Sequence, residues 1–408
     1  MARYKQFYRL IDAAICDDEL QEPFGAADVQ TACPQFTLTQ CRQYLSRHAQ
    51  GKDSGNFELF QRVDRGRYIR LPFYVKRDGY IDLLEPIFLP EDPISNDIIM
   101  YFASILRVLG MEDKGWDPYA ESRAILNDLN GFFRLELPKR WFSEPDETQW
   151  RLGLLIYTHI VEMDAPYEVI LNLLRFKIGD GYSPNPYFDY LSKNEQKMFR
   201  KRGISTGRKI KIIKMLSDKA SLPVGAIFDD FYNNRLRNAI SHSDYVLTEN
   251  GFRCRGGISG TKGFEISFEE LEQILLSAKA FIAAFFSIEN SARRVWGGQA
   301  GRAIPYDIHY KGMMEVLANR DGLLCGFKVH WPNGSESFYR RTESGIDMVN
   351  CMLATQQSNL ELMVGLYARD PGTFSPLVEK DALPVYTKRE GDDAPLHWPG
   401  DGSENTNP

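Results

Sequence analysis

The chain has 408 residues, more than one compact core usually serves, so two or three domains are expected. Its 49 basic and 55 acidic residues give a formal charge of −6, which excludes a chain-wide field for nucleic acid and leaves only local patches to bind it. Six cysteines at 16, 33, 41, 254, 325 and 351 form no CxxC pair and no zinc-ribbon spacing; with no signal-peptide pattern at Met-Ala-Arg-Tyr-Lys, a soluble cytoplasmic protein without metal or cofactor is expected.

In chain order, Phe7, Leu10, Ile11, Ala14 and Ile15 recur at helical spacing between Tyr4 and Leu20. A short helical pattern covers Ala26 to Ala32 and is closed by Pro34, and a third helix opens at Thr37. There Leu38, Cys41, Tyr44 and Leu45 form the inward stripe, leaving Thr39, Gln40, Arg42, Gln43, Ser46 and Arg47 outward, types that reach base edges or phosphates. After a flexible Gly51-Lys52-Asp53-Ser54-Gly55, Phe57–Val63 and Arg67–Leu71 flank the turn Asp64-Arg65-Gly66 and read as a hairpin. Three helices followed by a basic hairpin resemble a winged helix over residues 1–72, of the kind whose wing carries Arg62, Gly66, Arg67 and Tyr68 as Arg-x-x-x-Gly-Arg-Tyr. Between Thr37 and Leu71 seven basic residues face three acidic ones, a net +4. The resemblance implies duplex DNA as ligand, with Arg42, Gln43 and Arg47 toward the groove and Arg65 and Arg67 on phosphates. The same module type also serves protein contact or dimerisation.

Residues 73–94, rich in proline, aromatics and short apolar runs, read as a linker with one or two short strands. A helical domain over 95–298 follows. Ile98–Leu109 and Tyr119–Leu129 read as helices, and a longer pattern runs from about Glu147 to Lys177 with a break at Pro166. In it Leu152, Leu155, Ile156, His159, Ile160 and Met163 share one side, so His159 reads as a satisfied core histidine. The apolar runs Leu154–Val161 and Phe281–Phe286 fall short of the ~18 residues that a spanning helix needs.

Gly179–Tyr190 reads as a loop, with Tyr182, Tyr187 and Phe188 as candidate stacking platforms. The chain then turns basic: Lys193, Lys197, Arg200, Lys201, Arg202, Arg208, Lys209, Lys211 and Lys214 face the single acid Glu195. Beside the next element, Arg200, Lys201, Arg202, Arg208 and Lys209 would form a phosphate-tracking surface for single-stranded RNA; alone, they would be a solvated face.

Asp229–Leu247 reads as a helix with two faces. Asn234, Arg237, Asn238, Ser241 and His242 fall on a polar stripe, and Phe228, Tyr232, Leu236, Ala239 and Ile240 on an apolar one. Arg237 and His242, five residues apart, lie about 140° apart around such a helix. The order Arg237-Asn238-Ala239-Ile240-Ser241-His242, late in a helical domain, resembles the ribonuclease signature of the HEPN superfamily over roughly Trp150–Trp296. The resemblance implies a bundle of four or five helices, a homodimer in which two signatures meet, and metal-independent RNA cleavage with Arg237, Asn238 and His242 in the site.

Beyond it, Tyr245–Leu247 and Phe252–Arg255 read as a small hairpin. Gly256–Gly263 lacks the Gly-Lys-Ser/Thr order of a phosphate loop and is rejected as a nucleotide site. Ser267 opens a helix to about Val295. Residues 305–369 read as a small α+β unit, with strands at Met314–Asn319, Leu323–Trp331 and Ser335–Arg341 leading into helical Ile346–Leu366, and residues 370–408 as an extended or disordered tail.

The expectation is therefore a mainly α protein: a HEPN-like helical bundle, an N-terminal winged helix-turn-helix and a C-terminal α+β unit. A DNA reader joined to such a ribonuclease resembles prokaryotic toxins or phage-defence effectors, which implies an inhibitory partner until a trigger arrives. The alternative is a DNA-binding regulator whose helical domain only dimerises.

Overall fold

The computed structural model describes residues 7, 8, 10, 11, 14, 15, 19–50, 59–90, 98–107, 118–133, 145–183, 185–255, 262–301, 303–307, 312–330, 336–342, 345–349, 354–356 and 359–361. The fold is mainly helical with small sheets, and the chain divides into two compact units, residues 1–79 and 80–408.

In the first unit, Phe7, Tyr8, Leu10, Ile11, Ala14 and Ile15 are helical and precede α1 (Ala26–Ala32) and α2 (Leu38–Arg47). Capping starts α2 where it does: Gln40 N–H donates to Thr37 Oγ1 at 3.3 Å while Thr37 N–H donates to Gln40 Oε1 at 2.8 Å. The antiparallel pair β1 (Phe60–Asp64) and β2 (Arg67–Arg70) turns through Gly66, whose φ of +72° a side chain would resist. Phe7 stacks on Phe36 at 3.8 Å and on Tyr44 at 4.2 Å, and Ile11, Phe24, Val29, Leu45 and Phe60 complete one aromatic-rich core.

The linker read over residues 73–94 is largely a helix, α3 (Pro72–Phe88), and the division between the units falls inside it. Pro72 occupies the first helical position, where the missing N–H has no intrahelical role, and Tyr80, Leu84, Ile87 and Phe88 are buried at helical spacing. Proline and aromatic content suggested short strands, but the apolar period is 3.6.

The second unit contains α4 (Ile98–Leu106), α5 (Pro118–Phe133), α6 (Pro145–Glu162), α7 (Asp164–Lys177), α8 (Lys193–Arg202), α9 (Thr206–Lys219), α10 (Asn234–Ser241) and α11 (Phe268–Gly297). The 30-residue α11 is long and apolar enough to cross a bilayer, contrary to the expectation drawn from short runs, yet 56% of its most apolar window is buried within the fold, as in a core helix. Ser267 Oγ caps it by accepting from Glu270 N–H at 3.1 Å. Phe281 on α11 meets Phe231 at 5.1 Å and Phe228 at 5.4 Å between ring centroids, so the segment leading into α10 is anchored on the central helix.

The pattern read across Glu147–Lys177 breaks at Met163 rather than Pro166, because Pro166 sits in the first turn of α7, where an N–H has no partner to lose. On α6 the inward residues are Leu154, Ile156, Tyr157, Ile160 and Val161; Leu155, expected among them, is 56% exposed. His159 is half-buried and its Nε2 lies 3.3 Å from the Ser122 carbonyl oxygen, a satisfied histidine as expected.

Directly after α10 comes a three-stranded antiparallel meander, β3 (Tyr245–Thr248), β4 (Gly251–Cys254) and β5 (Phe264–Ser267). Further on, β6 (Ala303–Asp307), β7 (Gly312–Ala318), β8 (Leu324–His330), β9 (Glu336–Thr342) and β10 (Gly345–Val349) form a five-stranded antiparallel sheet in the order β10-β9-β8-β7-β6. Where a helix was expected over Ile346–Leu366, the described residues are strand: β10 and the short pair β11 (Ala354–Gln356) and β12 (Asn359–Glu361), while residues 350–353, 357–358 and 362–366 lie outside the described residues. Ile346 and Met348 alternate with Asp347, and the free edge of β9 supplies backbone partners for that period-2 segment. The Gly51–Gly55 stretch, residues 256–261 of the rejected phosphate loop and the tail at 370–408 lie outside the described residues.

Candidate active site

The signature element is shorter than the helix read over Asp229–Leu247. Pro223–Asp229 is a 3-10 turn and α10 begins only at Asn234, because Asn233 takes the cap: its Oδ1 accepts from Arg235 N–H and Leu236 N–H, both at 3.0 Å. Leu236, Ala239 and Ile240 are buried as expected, which turns Asn234 and Ser241 to solvent. From α6, Tyr157 Oη donates to the Phe231 carbonyl at 3.1 Å and accepts from Asn233 N–H at 3.2 Å. Burial pushes the Tyr157 hydroxyl above the ordinary tyrosine range, so it stays neutral and can fill both roles.

Arg237 is fixed by two partners. Its Nε and Nη2 donate to the two carboxylate oxygens of Glu162, the last residue of α6, with Nη2 to Oε2 at 2.9 Å, and its Nη1 donates to Asn238 Oδ1 at 2.9 Å. This is the fork-on-fork pairing that suits a planar guanidinium. Donation to the Glu162 carboxylate holds the Arg237 pKa above its ordinary value. The side chains remain 26% and 38% exposed, and the N–H groups of Nη1 and Nη2 not used in these bonds have no partner among the described residues.

His242 caps the C-terminus of α10 and is exposed. Ser243 adopts a left-handed φ of +54°; its N–H bonds the Ile240 carbonyl at 3.0 Å, and Asp244 N–H bonds the Ala239 carbonyl at 2.9 Å. These two bonds make a Schellman motif, so the chain turns sharply into β3 and leaves His242 at a fixed corner of the backbone. The imidazole is not hydrogen-bonded to Arg237 among the described residues. The helix therefore brings Arg237 and Asn238 together and holds His242 apart, one turn further on.

The basic run divides. Lys209 is 5% exposed, forms an ion pair with Asp164, and its Nζ lies 5.8 Å from the Tyr187 ring centroid, so it is a packing element rather than the phosphate contact expected. Arg208 pairs with Glu195 at 2.9 Å and donates to the Tyr190 carbonyl at 3.1 Å. Arg200, Lys201 and Arg202 belong to α8, but their side chains lie outside the described residues. Tyr182 and Tyr187 are buried at 4% and 3% exposure, which corrects their assignment as stacking platforms; Phe188 meets Phe199 edge-on at 6.1 Å.

In the first unit, Arg42, Gln43 and Arg47 occupy the exposed face of α2 and Arg65 the exposed turn of the hairpin. Arg67 is exposed but paired with Asp28 and bonded to the Pro23 carbonyl at 3.3 Å, so it also ties the hairpin to α1.

Sequence reasoning missed Glu162. One signal existed: a carboxylate in the last turn of a helix meets the negative end of its dipole and calls for a cation. Which cation answers it depends on a contact between residues 75 positions apart. No protein-family model, curated protein or solved structure matches this chain.

Proposed function

We propose that the chain is a metal-independent endoribonuclease of the HEPN type. What carries the reading is Arg237: a guanidinium fixed by Glu162 and Asn238 whose remaining N–H donors are unused among the described residues, on a short helix that ends at an exposed histidine in a Schellman corner. In the proposed reaction the ribose 2′-oxygen attacks the adjacent phosphorus, the P–O5′ bond breaks, and a 2′,3′-cyclic phosphate and a 5′-hydroxyl remain. His242 takes the 2′-hydroxyl proton or supplies the proton that the leaving 5′-oxygen needs. Arg237 donates to the phosphorane oxygens as their charge develops, and Asn238 and Glu162 act by holding it. Because Arg237 and His242 diverge on one helix, two copies facing each other about a two-fold axis would surround one phosphate, with one His242 as base and the other as acid.

In this proposal the first unit is a winged helix that reads duplex DNA through Arg42, Gln43 and Arg47, with Arg65 on phosphates. The whole then fits a toxin or phage-defence effector restrained by an inhibitory partner. Incubating purified protein with total RNA, with and without EDTA, tests the reading against a regulator whose helical unit only dimerises. Degradation that survives EDTA and disappears in His242→Ala supports the nuclease; intact RNA at every protein concentration favours the regulator.

A further inference from the structure

A cleft of about 630 Å³ lies between α8 and α9 and reaches the start of α10. Its volume falls within the ~300–1,000 Å³ of small-ligand sites. We propose that it is a nucleotide subsite that seats one base of the RNA strand next to the phosphate held at Arg237, an inference that rests on the ribonuclease reading of α10.

The lining has the chemistry of a base pocket. Phe199, Ile204 and Met198 give it an apolar wall, and Met198 stays 47% exposed there, an apolar surface with nothing over it among the described residues. Tyr232 and Asn234 supply a polar edge: Tyr232 Oη donates to Asn234 Oδ1 at 3.1 Å, which orients the amide; its Nδ2 hydrogens have no partner among the described residues and can donate to the carbonyl or ring nitrogen of a base. At the rim, Lys211 is exposed and makes no ion pair among the described residues, while Arg208 and Lys214 each meet one carboxylate, Glu195 and Asp229. Three cations against two acids leave the rim net positive, as a flanking phosphate requires.

The cleft reaches the first residue of the helix that carries Arg237. Asn234 precedes Arg237 by three residues, about 4.5 Å along the helix axis. Tyr232, on the cleft wall, lies within electrostatic reach of both Arg237 and Glu162. Gly207 in the first turn of α9 permits that wall: a Cβ there would stand 2.7 Å from Tyr232 Oη. Glycine disfavours a helix relative to alanine, and here its bareness is what lets the tyrosine close against α9.

The test uses full-length His242→Ala protein, so that binding is read without cleavage, and a fluorescent 2′-O-methyl oligonucleotide in which abasic residues replace the bases one at a time. The proposal expects one position, beside the scissile phosphate, at which base removal weakens binding about tenfold, the scale of a lost stacked base. That dependence should fade when Lys211→Glu or Gly207→Ala is added; thermal melts establish that both remain folded. Equal affinity for every abasic oligonucleotide, or an unchanged profile in both variants, overturns the proposal, as does absence of oligonucleotide binding. Titration with the four nucleoside monophosphates separates the other source of the same chemistry. Mononucleotide binding lost in Lys211→Glu, with oligonucleotide binding intact, would assign the cleft to a free nucleotide and overturn it as an RNA subsite. A wild-type protein that binds through the cleft but never cuts RNA would instead refute the nuclease reading alone.

Discussion

Replacing Glu162 with glutamine tests whether the fork-on-fork pair positions Arg237. Glutamine preserves shape but removes the charge and turns one acceptor into an NH2 group facing a guanidinium N–H. With the two side chains 26% and 38% exposed, solvent screens the pair, and a coupling of about 1 kcal/mol is expected, the upper end for exposed pairs because the geometry is bidentate. A double-mutant cycle with Arg237→Met, which keeps the aliphatic stem, isolates that term in urea denaturation. It should shrink in 1 M salt, where the Debye length falls to about 3 Å. The sign on the arginine side is clear: its pKa is raised in the folded state, so its contribution is complete below the ordinary arginine range and is lost only as pH rises through the higher folded value. Between pH 6 and 10 the arginine adds no slope. If Glu162 positions a catalytic guanidinium, Glu162→Gln lowers kcat/KM on RNA by roughly 10- to 100-fold, the scale of a misplaced group. A coupling below about 0.3 kcal/mol at low salt, or an increase in cleavage once Arg237 is released, would refute the positioning role.

Tyr157→Phe leaves the buried Phe231 carbonyl without its donor and the half-buried Asn233 N–H without its acceptor, and should cost about 1–3 kcal/mol in chemical denaturation; a loss under 0.5 kcal/mol would mean water replaces the hydroxyl. Lys209→Ala removes a buried aliphatic stem of about three methylenes and should cost roughly 2.5 kcal/mol, whereas Lys209→Met should cost about 1 kcal/mol because Asp164, at 59% exposure, rehydrates. Neither should alter RNA affinity, and a large loss in Lys209→Met would restore its role as a phosphate contact. Burial raises the thiol pKa of Cys33, Cys41, Cys254 and Cys325, so these four should resist alkylation at pH 8 in the native state, as mapped by mass spectrometry. Since the unfolded chain loses those protons first, stability should fall as pH rises past the ordinary thiol value of 9.0.

How far the sequence carried depended on the range of the contact. Periodicity identified the first helix, α2 and the inward residues Cys41, Tyr44 and Leu45, and turn chemistry identified the hairpin at Gly66, because these are decided within a few residues. Around α10 the apolar positions Leu236, Ala239 and Ile240 were legible, but the start of the helix was not, since Asn233 and Asn234 are both plausible in caps and the choice is made by Tyr157 from α6. Tertiary partners decided the rest. Lys209 and Arg208 look like solvent-facing cations in a basic run, and only the approach of Asp164 and Glu195 makes one a buried ion pair and the other a rim contact. Residues 346–349 went wrong for a related reason: the alternation of Ile346 and Met348 with Asp347 is too short to decide against a helix, and pairing with β9 fixed the segment as a strand. At the site the sequence offered Arg237, Asn238 and His242, while Glu162 and the cleft behind Tyr232 required the fold.

The central claim is tested most directly by the ends of the RNA fragments. A defined RNA oligonucleotide is incubated in EDTA with wild-type protein and with His242→Ala, and the products are weighed by mass spectrometry. The account predicts fragments ending in 2′,3′-cyclic phosphate and 5′-hydroxyl from the wild type, and intact RNA from the variant. Fragments with 3′-hydroxyl and 5′-phosphate ends, or undiminished cleavage by His242→Ala, would contradict it.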